Sequence, residues 1–210
     1  MFQLIKGASI SDITGLKEEY QITENQLRAN VSAEKILIVF DSFLSKMRED
    51  EPLFLFIETP CSEDDEIMLN DLCSGNDNAI EKYHKDVYYL DGFYREHMLT
   101  LLHSGAGELL INDGLTNFGI GSFDSNIELG KYKYNVFIGY LHGQDAGVLT
   151  DIFDELGIPR VSEIVTAWEL ISEDNPGECR KYECYNKDIF VLVNQMKDLG
   201  LYKAETREDN

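Results

Sequence analysis

The sequence predicts an α+β fold: one domain over residues 1–210, with an antiparallel-rich sheet of about five or six strands packed by about three to four helices. Three observations carry this. Hydrophobic residues make up 43% and aromatic residues 11% of the chain, enough for a core at 210 residues. Apolar residues recur at helical spacing in several stretches, while short runs rich in β-branched and aromatic residues lie between turn signals. No internal repeat, low-complexity tract or Gly/Ser/Pro linker divides the chain.

Residues 1–50 read as an N-terminal helical part. Ser32 can cap a helix through Met47, because Ile36, Leu37, Phe40, Phe43, Leu44 and Met47 share one face. Leu53–Ile57, continuously apolar between Pro52 and Pro60, suits a central strand buried on both faces. Residues 61–85 carry Glu63-Asp-Asp-Glu66 and Ser74-Gly-Asn-Asp-Asn78 and read as a polar exposed insertion with at most a short helical piece. Val87–Leu90 reads as a strand, and Asp91 as the cap of a helix bearing Phe93, Met98, Leu101 and Leu102 and ending at Gly105.

Asp113-Gly114, flanked by Glu108–Asn112 and Leu115–Gly119, predicts a type I′ hairpin, since both central residues of that turn need positive φ. Tyr132–Leu141 extends it into a three-stranded sheet centred on residues 107–141. Asp145–Leu156 is an amphipathic helix stopped by Gly157 and Pro159. Val161–Ile171 fits either period; Ile164, Val165, Thr166 and Trp168 favour a strand. Asn186 can cap a last helix bearing Ile189, Phe190, Val193 and Met196 and ending at Gly200, after which residues 204–210 read as a frayed tail.

The functional signal is charge. Asp and Glu number 39 against 18 Lys and Arg, a formal net charge of −21. Such a surface repels nucleic acid and acidic lipid and attracts basic protein surfaces, and it also serves solubility. Lys131-Tyr-Lys-Tyr134 is the nearest approach to a basic aromatic stripe, and two lysines do not outweigh the excess of acid. No apolar run suggests a signal peptide or a membrane span, so the expected location is the cytoplasm.

No catalytic, metal or cofactor pattern stands out. The cysteines Cys61, Cys73, Cys179 and Cys184 have 11 and 4 residues within their pairs, without Cys-x-x-Cys, and read as reduced thiols. Residues 63–66 are contiguous acids, unlike the alternating ligands of a calcium loop. Gly119-Ile-Gly121 lacks the third glycine and the helix of a phosphate-binding turn and reads as a bend or bulge. His84, His97, His103 and His142 are scattered, and no Gly-x-Ser-x-Gly elbow accompanies them.

What remains is an acidic binding protein without enzymatic activity that neutralises a basic protein partner, with Glu49, Asp50, Glu51, Glu63, Asp64, Asp65, Glu66 and Tyr83 as partner-binding candidates. The profile, with Tyr88-Tyr-Leu-Asp-Gly92, Asn112-Asp-Gly-Leu115, Phe118-Gly119 and Gly200-Leu-Tyr-Lys203, resembles the acidic immunity proteins that bacteria pair with polymorphic or contact-dependent toxins. That resemblance spans residues 86–203 and implies a toxin as the partner; it carries over no functional residue. The alternative is a small-ligand-binding or enzymatic domain with a pocket between the 107–141 sheet and its covering helices.

Overall fold

Phe40 shows how the chain closes on itself. It stands on the helix read from Ser32 onward, and its ring lies 4.8 Å from Phe118 and 5.5 Å from Phe137, on two strands of the central sheet. The computed structural model describes residues 1–24, 26–74, 83–141 and 147–209, the last four residues of the 63–74 helix by backbone only. In chain order the elements are β1 (Ala8–Ile10), β2 (Glu19–Ile22), β3 (Gln26–Asn30), α1 (Ile36–Lys46), β4 (Leu53–Pro60), α2 (Glu63–Ser74), β5 (His84–Phe93), α3 (Arg95–Leu102) and α4 (Gly105–Asn112). Then follow β6 (Asn117–Ser122), β7 (Ile127–Lys131), β8 (Val136–Leu141), α5 (Gly147–Glu155), α6 (Ala167–Leu170), β9 (Gly177–Cys179), α7 (Ile189–Met196) and β10 (Tyr202–Glu208).

Eight strands form one antiparallel sheet in the order β10-β5-β4-β6-β7-β8-β3-β2, and β1 pairs with β9 apart from it. The α+β expectation holds, with more strands and, among the described residues, seven helices instead of three to four. One face of the sheet presents Leu55, Ile57, Leu90, Phe118, Ile120, Leu129 and Phe137 to the apolar sides of α1, α3, α4, α5 and α7, all in one buried cluster. Each such side chain contributes about 1.5–3 kcal/mol on burial. A smaller cluster, Phe2, Leu16, Val136 and Ala167, covers the β8 end of the other face from the N-terminal segment and α6. No described helix is long and apolar enough to cross a membrane.

The Asp113-Gly114 hairpin does not form. Residues 105–112 are α4, its first turn capped by Ser104 Oγ, which accepts the Ala106 N–H at 3.1 Å. Leu109, Leu110 and Ile111 pack into the core at helical spacing, a gain that outweighs the local turn preference. Asp113 instead ends the helix: its carboxylate accepts the Leu115 N–H, the Thr116 hydroxyl and the Tyr182 N–H, each at 2.9 Å. Gly114 has no positive φ; it is there for close approach. A Cβ on it would lie 1.8 Å from the Gly7 carbonyl oxygen, where Gly7, residues 112–114 and Arg180 exchange backbone hydrogen bonds. The three-stranded meander therefore starts at β6, not at residue 107.

Other expectations shift for identifiable reasons. Residues 161–171 hold no strand; Glu169 accepts the Thr166 N–H at 2.7 Å and its hydroxyl in a capping box that starts α6. β5 runs through Asp91 to Phe93, so the helix after it is capped at Tyr94, and the last helix is capped by Asp188, which accepts the Val191 N–H at 2.9 Å. The N-terminal part contains three strands before its helix. The 61–85 insertion includes the 12-residue α2, while residues 75–82, His142 and the Asp145 start of the next helix lie outside the described residues, as does the Cys73 side chain.

The expected frayed tail is β10, an edge strand paired antiparallel with β5 and tied further to β5 and β4 by charge. Lys203 Nζ lies 2.6 Å from Asp86, Thr206 donates to Asp86 at 2.7 Å, and Arg207 pairs with Glu58. Asp209 meets Lys133 at 2.6 Å and Lys85 at 3.4 Å. Those charges also discourage a further strand from adding to the edge.

Gly114→Ala should lower the urea midpoint by a loss of about 2–4 kcal/mol, because the clash is with backbone; a midpoint within error of the parent would show that the Gly7 crossing gives way freely.

Candidate functional site on the open face of the sheet

Among the described residues, α6 is the helix whose buried residues cover the second sheet face. Register places Phe54, Phe56 and Glu58 of β4, Tyr89 and Lys85 of β5, Tyr202 and Arg207 of β10, and Glu128 of β7 on this face. β6 and β7 make room for the rings: a Cβ on Gly121 would stand 2.3 Å from the Phe54 ring. Gly119-Ile-Gly121 is thus neither a phosphate loop nor a bulge but a shelf under aromatic side chains.

On this shelf lies an open cavity of about 310 Å³, with Phe54, Tyr89, Phe123, Glu128 and Tyr202 among its walls. Phe54 and Phe123 have centroids 4.6 Å apart, Phe54 and Tyr89 5.8 Å, and Tyr89 and Tyr202 6.4 Å. Phe123 is 69% exposed and Tyr202 49%, so the apolar rim faces water.

The charges around the cavity are unequal. Glu58 is buried and satisfied by Arg207, by Lys85 at 3.1 Å and by the Asn117 side-chain amide at 2.8 Å. Lys85 and Lys133 also hold Asp209. Glu128 is left over: among the described residues its carboxylate makes no ion pair or hydrogen bond. Burial, reinforced by the Glu58 charge and opposed by Arg207, pushes its carboxyl up to about 7.

The acidic segments singled out in the sequence fall at opposite ends of β4, about 25 Å apart along an eight-residue strand. Glu49 is exposed and meets Arg95 at 2.6 Å; Asp50, also exposed, stands 4.0 Å from Arg48. Glu51 turns inward and is only 1% exposed. Burial raises its carboxyl, but hydrogen bonds from the Ser122 and Ser125 hydroxyls and the Arg48 N–H outweigh that and hold it below the ordinary range. Glu51 is therefore no direct contact for a partner; it fixes the β6–β7 turn that carries Phe123.

At the other end, Glu63, Asp64 and Asp65 are exposed in the first turn of α2, where the helix dipole favours them. Glu66 is buried and accepts the His84 backbone N–H, with His84 Nδ1 at 2.7 Å. It too is withdrawn from the surface. Tyr83, 67% exposed, joins Glu63, Glu66, His84 and Cys61 around a cavity of about 390 Å³. The structure thus brings Glu63, Glu66 and Tyr83 together and sets residues 49–51 apart from them.

Cys61 beside His84 invites a comparison with nucleophilic sites. Its thiol donates to Asp86 at 3.4 Å and is pushed up to about 12 by burial, with the Asp86 charge adding to it, so it is protonated at neutral pH. Among the described residues no group of three or more His, Cys, Asp or Glu is arranged for a metal ion. The Lys131–Tyr134 stretch offers no basic stripe either. Lys131 is fully buried, donating to the Asp113 and Thr116 carbonyls at 3.0 and 3.3 Å, and Lys133 is paired with Asp209. Trp168 is half-buried in α6, edge-on to Tyr132 at 6.3 Å, with its indole N–H donating to the Lys133 carbonyl at 3.1 Å.

Sequence reasoning missed the aromatic cavity because its walls come from β4, β5, β7, β10 and a turn. The one local signal was the alternate placement of Gly119 and Gly121, small residues where a neighbouring strand brings large ones.

A carboxyl raised from 4.5 to about 7 binds its proton more tightly in the folded chain than in the unfolded one, so its contribution to stability falls as pH rises between those values. Glu128→Gln should raise stability by about 1–3 kcal/mol above pH 7 and leave it unchanged near pH 4. Urea unfolding at both pH values measures this, and a pH-independent difference would contradict the assignment.

No family model matches the chain, and no curated protein or solved structure matches it significantly.

Proposed function

We propose that the protein is an acidic binding protein that neutralises a basic protein partner, as an immunity protein blocks a cognate bacterial toxin. One observation supports this best: Glu63 and Asp64 stand in one helical turn, exposed and without a cation partner among the described residues, and Glu63 shares a cavity wall with the exposed ring of Tyr83. Such charges are not consumed in holding the fold. They raise encounter rates with a basic surface and supply its counter-charge, while Tyr83 offers the kind of aromatic anchor on which interfaces concentrate binding energy. Glu49 and Asp50 extend the same field to the far end of β4.

The small-ligand alternative placed its pocket between the 107–141 sheet and its helices. That space is filled by Phe40, Phe118, Ile120, Leu129 and Phe137, none exposed, which weighs against it. The open cavities described above lie outside it.

Capture of partners from the native host at low and moderate salt tests the proposal. The expected result is a basic protein retained at low salt, with association slowed about tenfold by Glu63→Gln/Asp64→Asn/Asp65→Asn and the difference fading near 0.5 M salt. Retention of no basic protein under either condition would reject it.

A further inference from the structure

We propose that the cavity walled by Phe54, Tyr89, Phe123 and Tyr202 receives an arginine side chain of the basic partner, its guanidinium stacked on the rings and paired with the Glu128 carboxylate. This rests on the reading of the protein as a binder of a basic protein.

The occupant's chemistry follows from what the cavity holds. Its volume of about 310 Å³ stands at the small end of ligand cavities, which run from about 300 to 1,000 Å³. It suits one inserted side chain. Its faces are π-systems, whose negative quadrupole attracts a cation most strongly where water is displaced.

An anion would meet a carboxylate that makes no ion pair among the described residues, since Arg207 and Lys85 are both bound to Glu58. A neutral apolar group would strip water from Glu128 and return no hydrogen bond. A cation removes both difficulties. Guanidinium fits better than ammonium because it is planar, weakly hydrated and able to present two parallel N–H groups to one carboxylate.

The surroundings are arranged for this entry. Phe123 sits on a turn held by Glu51 through the Ser122 and Ser125 hydroxyls, and Arg48 reaches Asp124 of the same turn at 3.5 Å. The exposed Phe123 and Tyr202 rings thus stand ready on either side before a partner arrives. Glu51 acts as a positioning residue for the rim and does not touch the occupant.

N-acetyl-arginine amide, its neutral isostere N-acetyl-citrulline amide and N-acetyl-lysine amide are titrated into protein labelled on its aromatic rings and followed by NMR. The expected result is saturable shifts of Tyr89, Phe123 and Tyr202 with the arginine probe, about tenfold weaker binding of citrulline, and a similar loss in Glu128→Gln, whose fold is checked by the unperturbed core resonances. Tyr202→Ala, at an exposed edge position, should weaken binding without affecting the fold. Equal binding of arginine and citrulline, no loss in Glu128→Gln, or tighter binding of lysine than arginine would overturn the assignment. A basic partner held equally by parent and Glu128→Gln would overturn the pocket while the broader reading stands. Arginine binding here with no basic partner recovered would overturn the assignment to a partner's arginine together with the broader reading.

Discussion

Helices cover one face of the eight-stranded sheet and only part of the other, and much of the molecule follows from that imbalance. On the helical face the solution is ordinary: Phe40 of α1 lies against Phe118 and Phe137, and the apolar sides of five helices close over the strands. On the other face, from β7 to β10, the sheet has to shelter itself. It does so with aromatic rings laid across glycines and with a chain of ion pairs from Arg207 through Glu58, Lys85 and Asp209 to Lys133. That chain pairs Arg207 and Lys85 with Glu58, and Glu128 beside it makes no ion pair among the described residues.

The acidity therefore divides into parts with different work. Glu51, Glu58, Glu66 and Asp86 are buried and bound to serines, lysines, an arginine or a histidine, where they specify how strands and turns meet. Glu49, Asp50, Glu63, Asp64 and Asp65 face solvent and set the field outside. Glu128 belongs to neither group: it is half-buried at the cavity wall and, among the described residues, makes none of the ion pairs or hydrogen bonds of a structural carboxylate. A group in that state gains from any cation that reaches it, which links the net charge of the chain to one place on its surface.

How much of this could be read in advance varies with the physics of each element. β4 was legible because a strand buried on both faces is written as a continuous apolar run, and α1, α5 and α7 because their apolar residues keep helical spacing. α4 was hidden by the turn preference of Asp113-Gly114, a local signal overridden by the burial of Leu109 and Leu110 and by the crossing of Gly7. β10 was hidden because its pairing depends on partners more than a hundred residues away, Glu58 and Asp86, which no local pattern reveals. For the candidate site the acidic segments were visible. Within them the inward turn of Glu51 and Glu66 was not, since it depends on Ser122, Ser125 and His84 elsewhere in the chain.

The open face carries a half-buried carboxylate, Glu128, that makes no ion pair or hydrogen bond among the described residues. The most direct measurement is an NMR pH titration of the glutamate side-chain carboxyl carbons, with the Glu128 resonance assigned by its disappearance in Glu128→Gln. The account predicts that this resonance titrates with a midpoint near 7. A midpoint in the ordinary range, about 4.3, would contradict it, because Glu128 would then be solvated or already paired.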